Sequence, residues 1–136
     1  MAGLPSVAGS EPVVYHLGQH FVQLTRDDVC LPVEVDPSFW EHGLDALPPG
    51  RLVSLIESDC DWPSWERHPN GEELIVQLSG ELVLIFEIDG ATIERRLTGG
   101  DFTIVPRGIW HTADVPQVGK ALFITPGDGT EGRPRS

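Results

Sequence analysis

Through most of this chain, polar and apolar residues alternate, or apolar residues run unbroken, over lengths of four to eight positions. The stretches are His20–Leu24, Arg51–Glu57, Ser64–His68, Glu73–Ser79, Glu81–Ile88, Ala91–Leu97, Phe102–Val105, Trp110–Ala113 and Ala121–Thr125. Runs of this length bounded by turn residues predict β-strands rather than helices. One segment reads differently. Asp36-Pro37-Ser38-Phe39-Trp40-Glu41-His42 offers a capping residue, Pro at the first helical position and an early acid, followed by Gly43. That order predicts a helix of one or two turns over 36–42.

Fifteen Gly and twelve Pro punctuate these runs. Asp89-Gly90 between two strand patterns predicts a tight primed turn, and Asn70-Gly71 predicts a second. No strands alternate with long helices, so a doubly wound parallel sheet is excluded in favour of an antiparallel sandwich or barrel. Residues 1–12 are small and polar and are expected to be a flexible N-terminal segment. Residues 126–136 (PGDGTEGRPRS) have nothing apolar to bury and are expected to be a surface tail, leaving 13–125 as a single domain.

Composition narrows the function. Nine Lys+Arg against 21 Asp+Glu give a formal charge of -12, which argues against nucleic acid and anionic membrane surfaces as partners. No apolar run approaches a membrane span, and the N-terminus does not read as a signal peptide. Cys30 and Cys60 are too few for a disulfide framework and read as small, at least half-buried hydrophobes. A cytoplasmic setting is expected.

The candidate chemistry lies in one stretch and one later strand. Glu66 and His68 are two apart and should share a face, with Arg67 pointing the other way. Glu73 opens the next strand, where its side chain can return toward that face. His111 follows the tight segment Pro106-Arg107-Gly108 and opens a later strand. Two imidazoles with one or two carboxylates suit a single divalent Fe, Mn, Ni or Zn ion and leave open positions for other ligands.

These residues resemble a known family. Gly100-Asp101-Phe102-Thr103-Ile104-Val105-Pro106-Arg107-Gly108-Ile109-Trp110-His111 is similar to the second cupin motif, a Gly, five residues, Pro-x-Gly, two residues and His. Upstream, Glu66, His68, Glu73 and Gly80 are similar in spacing to the first motif, and Gly80, seven positions after Glu73, selects Glu73 over Glu72 as its carboxylate. The resemblance implies an all-β cupin-type double-stranded β-helix, a jelly-roll barrel, with His68, Glu73 and His111 as metal ligands at its centre. Glu66 stands where the family's first His usually stands. It is either a fourth, carboxylate ligand, or a catalytic acid or base acting on substrate or metal-bound water, or the mark of a barrel that has lost its metal.

The implied function is a small-molecule metalloenzyme, with a dioxygenase as the leading type. A cupin isomerase or lyase, or a non-catalytic ligand-binding or sensing barrel, is the alternative. The partners expected are a small organic molecule and a second copy of the chain in a homodimer, with the strand around His20–Leu24 as a possible contact. Trp62, Trp65, Trp110 and Phe102 cluster around the motifs and either shape a pocket mouth or fill the barrel. Gln77 shares strand parity with Glu73 and Ile75 and is expected inside.

Overall fold

The computed structural model describes residues 11–136, so the expectation for 1–12 falls almost wholly outside the described residues. The strands, in chain order, are β1 (His20–Thr25), β2 (Cys30–Glu34), β3 (Gly50–Ser58), β4 (Ser64–Arg67), β5 (Glu73–Gln77), β6 (Glu81–Ile88), β7 (Ala91–Leu97), β8 (Phe102–Val105), β9 (His111–Gln117), β10 (Gly119–Thr125) and β11 (Glu131–Pro134). A short helix, α1 (Phe39–His42), runs into a single 3-10 turn over Gly43–Ala46, within the region where capping chemistry predicts it.

Two antiparallel sheets form the jelly roll. One has six strands in the order β2-β1-β3-β10-β5-β8, and the other five in the order β11-β4-β9-β6-β7. Their facing sides bury Ile75, Leu84, Phe86, Val105, Ala113 and Phe123 as one core. A smaller cluster of Phe21, Phe39 and Leu52 lies under α1, where Phe39 meets Phe21 edge-on at 5.4 Å. Alternation along β5 is strict: Glu73, Ile75 and Gln77 point inward and Leu74 and Val76 outward. Gln77 is buried, as its parity requires, and its amide donates to the Ser79 carbonyl at 2.6 Å.

Two glycines let strands approach closely. Gly80 holds φ +67, and a Cβ there would lie 2.3 Å from the Val118 carbonyl oxygen. At Gly119 a Cβ would lie 2.0 Å from the Ser79 carbonyl oxygen. The spacing from Glu73 to Gly80 therefore reflects a packing requirement at the start of β6.

Three expectations are corrected. Residues 131–134, expected within a surface tail, form a strand: β11 pairs with β4, Gly132 opposite Glu66 and Arg133 opposite Trp65. Ladder pairing uses the backbone and needs no apolar side chain. Asp89 and Gly90 do form a tight turn with φ of 52 and 80, but Asn70 and Gly71 are not among the positive-φ residues. They cannot close a hairpin, because β4 and β5 belong to different sheets. Cys30 and Cys60 are exposed rather than half-buried. No helix among the described residues is long and apolar enough to cross a membrane.

Candidate metal centre

The centre is assembled from both sheets. Glu66 on β4 stands directly opposite His111 on β9, which places both side chains on one face of the five-stranded sheet. Glu73 comes from the facing sheet, at the start of β5. His68 lies just beyond β4, where the His68 carbonyl accepts from the Gly108 amide at 3.0 Å and ties the two motif segments together. Glu66, His68 and His111 present ligand atoms that all lie within 4.8 Å of one another. Glu73 Oε1 sits 3.1 Å from His111 Nε2 and 3.4 Å from His68 Nε2. The sequence-predicted residues are thus brought together, all but Glu66 fully buried. Arg67 points away, pairs with Glu131 and lies 4.7 Å over the Trp110 ring.

Hydrogen bonds fix how the imidazoles face the centre. His111 Nδ1 donates to the Ile109 carbonyl at 3.1 Å. Thr130 Oγ1 donates its single hydrogen to the Gly127 carbonyl at 2.8 Å, so toward His68 Nδ1, 2.9 Å away, it can only accept. Both rings therefore carry Nδ1–H, and in their neutral forms both present the Nε2 lone pair to the same point. His68 Nε2 is buried and has no hydrogen-bond partner. A carboxylate oxygen and two such lone pairs repel unless a proton or a cation lies among them.

The titration behaviour follows. Burial would raise the Glu73 carboxyl, but the imidazoles of His111 and His68 more than offset it and hold the group at about 2. Glu73 Oε2 also accepts from the Thr125 hydroxyl at 2.6 Å. Burial would lower His111, yet Glu73 keeps its pKa above the ordinary histidine value. Glu66 is raised by burial first and by Glu73 second, against the pull of the imidazoles. The arrangement thus favours the protonated form of His111 in the absence of metal and fits a divalent ion by its donor set: two nitrogens and up to two carboxylates, oriented by Thr130, Ile109 and Thr125.

The centre forms one end of a cavity of about 560 Å3. Trp62 lines it, its ring 6.4 Å from that of His111. Trp65 and Trp110 stack instead under Arg133, at 5.3 and 4.5 Å, and Phe102 is exposed on β8. Of the four aromatics noted in the sequence, only Trp62 shapes the cavity. Trp40 on α1 also lines it and carries no motif signal, and Thr125 and Thr130 lie outside both motifs.

A two-sheet jelly roll with histidine and glutamate gathered between its sheets defines the class. The family model described as "Cupin domain" matches residues 47–127, and the chain belongs to that family. Among solved structures it is similar to a cupin-2 domain containing protein from Shewanella frigidimarina, at 21% identity, with 56% of this chain and 70% of that one covered and a TM-score of 0.47. It is also similar to a hydroquinone 1,2-dioxygenase in complex with Cd2+ and 4-hydroxybenzonitrile, at 16% identity, with 62% of each chain covered and a TM-score of 0.51. A tryptophan-to-tyrosine variant of the oxalate decarboxylase of Bacillus subtilis matches at 19% identity, 62% of this chain and 24% of that one, TM-score 0.51. These likenesses show the fold alone, and the chain spans less than two thirds of either enzyme chain. No curated protein matches the sequence significantly.

Proposed function

We propose that this cupin binds one divalent transition metal through His68, Glu73 and His111, with Glu66 as a fourth ligand or an acid-base group, and acts as a small-molecule metalloenzyme of dioxygenase type. The observation that carries the reading is the buried, unpartnered Nε2 of His68, aimed with the His111 Nε2 at Glu73 beside an open cavity. The hydroquinone dioxygenase of the same fold, solved with Cd2+ and an organic ligand, supports it. When bound, a metal such as Fe would supply Lewis acidity and open coordination positions for a chelating organic substrate and oxygen. The chain's own part is to hold the donors in place, to exclude bulk water with Trp62 and Phe123, and to offer Glu66 as a proton acceptor beside the substrate.

Metal analysis of purified protein, followed by oxygen-consumption assays on the Fe(II)-loaded form with phenols, thiols and dicarbonyls, tests the reading. About one equivalent of metal and substrate-dependent oxygen uptake are expected. Retained metal without turnover of any kind would favour the binding or sensing alternative, and failure to hold Fe, Mn, Ni or Zn would overturn the metal reading.

The homodimer also belongs to this proposal, with the outer face of the six-stranded sheet as its contact. Val22, Val53, Ile124, Leu74 and Ile104 stand in one row across five strands, and Leu55, Leu122, Val76 and Phe102 in the row beside it. Phe102 and Ile104 are 62% and 51% exposed. Antiparallel sheets usually present a polar outer face, and an apolar face of this extent marks an interaction surface. Neither row holds a charge, so two copies of a chain with charge -12 would meet there with least repulsion. The exposed, unpaired Cys30 and Cys60 support the cytoplasmic setting.

A further inference from the structure

The cavity is lopsided in its chemistry. The carboxyls of Glu66 and Glu73 line it, and the wall is otherwise made chiefly of Trp40, Leu44, Leu52, Ile56, Trp62 and Phe123. No Lys or Arg is among the described residues lining it. Of the hydroxyls lining it, Thr125 is committed to Glu73 and Thr130 to Gly127, leaving those of Ser54 and Ser64. A substrate carboxylate lying along this wall would meet no Lys or Arg and, beyond the Ser54 and Ser64 hydroxyls, chiefly apolar surface. A flat ring meets the opposite conditions. The Trp62 ring stands 5.9 Å from that of Phe123 and 6.4 Å from that of His111, so it forms an aromatic wall beside the centre. Trp40, 53% exposed, offers a second ring on α1.

We propose, on the basis of the metal-centre reading above, that the cavity takes an uncharged ring compound with one hydroxyl directed at the centre, and discriminates against ring compounds carrying a carboxylate. Trp62 and Phe123 set the preference by shape, and the absence of a basic side chain from the described lining sets it by charge.

Calorimetric titration of the full chain with 4-methylphenol and with benzoate tests this, on Zn(II)-loaded and on metal-free protein whose metal content has been measured first. 4-Methylphenol is expected to bind the metal-free protein more tightly than benzoate by about tenfold or more, with Zn(II), itself able to take a carboxylate, narrowing the gap, and to quench tryptophan emission less in Trp62→Phe than in the native chain. Leu44→Arg, at the half-buried cavity wall, is expected to raise benzoate affinity and narrow the gap. Benzoate binding metal-free protein as tightly as 4-methylphenol, or no binding of either, overturns the proposal. Loss of Zn(II) on dialysis with the phenol preference intact would instead overturn the metal reading and leave the charge preference supported.

Discussion

Thr130 Oγ1 accepts a hydrogen bond from His68 Nδ1 at 2.9 Å, and can do so because its own hydrogen goes to the Gly127 carbonyl. The two residues are 62 positions apart, and the threonine belongs to the segment that reads from sequence as a tail. Removing that acceptor frees the His68 ring to turn or to change tautomer. Thr130→Val, which keeps the shape, is expected to weaken divalent-metal affinity by roughly 10–100-fold, with Thr130→Ser restoring it. Competition against a chromogenic chelator measures the change; equal affinities in Thr130→Val and the native chain would remove the positioning role.

His111→Ala deletes a proposed ligand and the partner that holds Glu73 ionised. Purified without added metal, this variant is expected to contain less than about a tenth of an equivalent, by the same competition between ligand count and affinity. Elemental analysis reads it directly. Native-like metal content would mean that the ion, if present, binds elsewhere.

The Glu73–His111 pair gives the metal-free protein a pH signature. Glu73 titrates at about 2 in the folded chain against an ordinary 4.5, so its share of stability is full above about 4.5 and is lost as pH falls toward 2. His111 is held above its ordinary 6.5, so its share is full below 6.5 and is lost as pH rises through the shifted value. A divalent ion has to displace that His111 proton, and metal affinity should therefore climb with pH above 6.5. Urea melts from pH 2 to 9 and calorimetry in two buffers of different ionisation enthalpy measure both effects. A binding heat independent of buffer would contradict proton release.

On the outer face of the six-stranded sheet, Phe102 and Ile104 stand in the two neighbouring apolar rows. Phe102→Glu with Ile104→Glu places like charges in both copies of any contact made there. Light scattering after size exclusion should show the native chain at twice the monomer mass and the double variant as a monomer with an unchanged circular-dichroism spectrum. An unaltered mass would place the contact on another surface.

Gly119→Ala would drive a methyl to 2.0 Å from the Ser79 carbonyl oxygen, a backbone atom with little room to give. A loss of roughly 2–4 kcal/mol in denaturant unfolding is expected. Gly90→Ala, where nothing lies within 4 Å, keeps space but loses its preferred positive φ of 80, and should cost about 1 kcal/mol.

Alternation made nine strands legible, because one face of each meets a core. The two strands it does not reveal, β2 and β11, are both sheet edges and both contain proline, Pro32 and Pro134. Edge strands can lack a donor on their free side and need no buried face, so their sequences carry little periodic signal. The site divides the same way. Glu66, His68, Glu73 and His111 could be found because strand parity and fixed spacing bind them to one another. Thr125, Thr130 and Trp40 meet the centre or its cavity through tertiary approach alone, with no interval in the chain to betray them.

Strand β11 and Thr130 also set an order of events. The proposed ligands end at position 111, but the group that turns His68 and the strand that flanks β4 come from residues 130–134. On the ribosome, a partly made chain could carry every one of these side chains and still leave His68 without the group that turns it. If the proposed centre holds a metal, an oriented site for it exists only once residues 130–134 have reached β4.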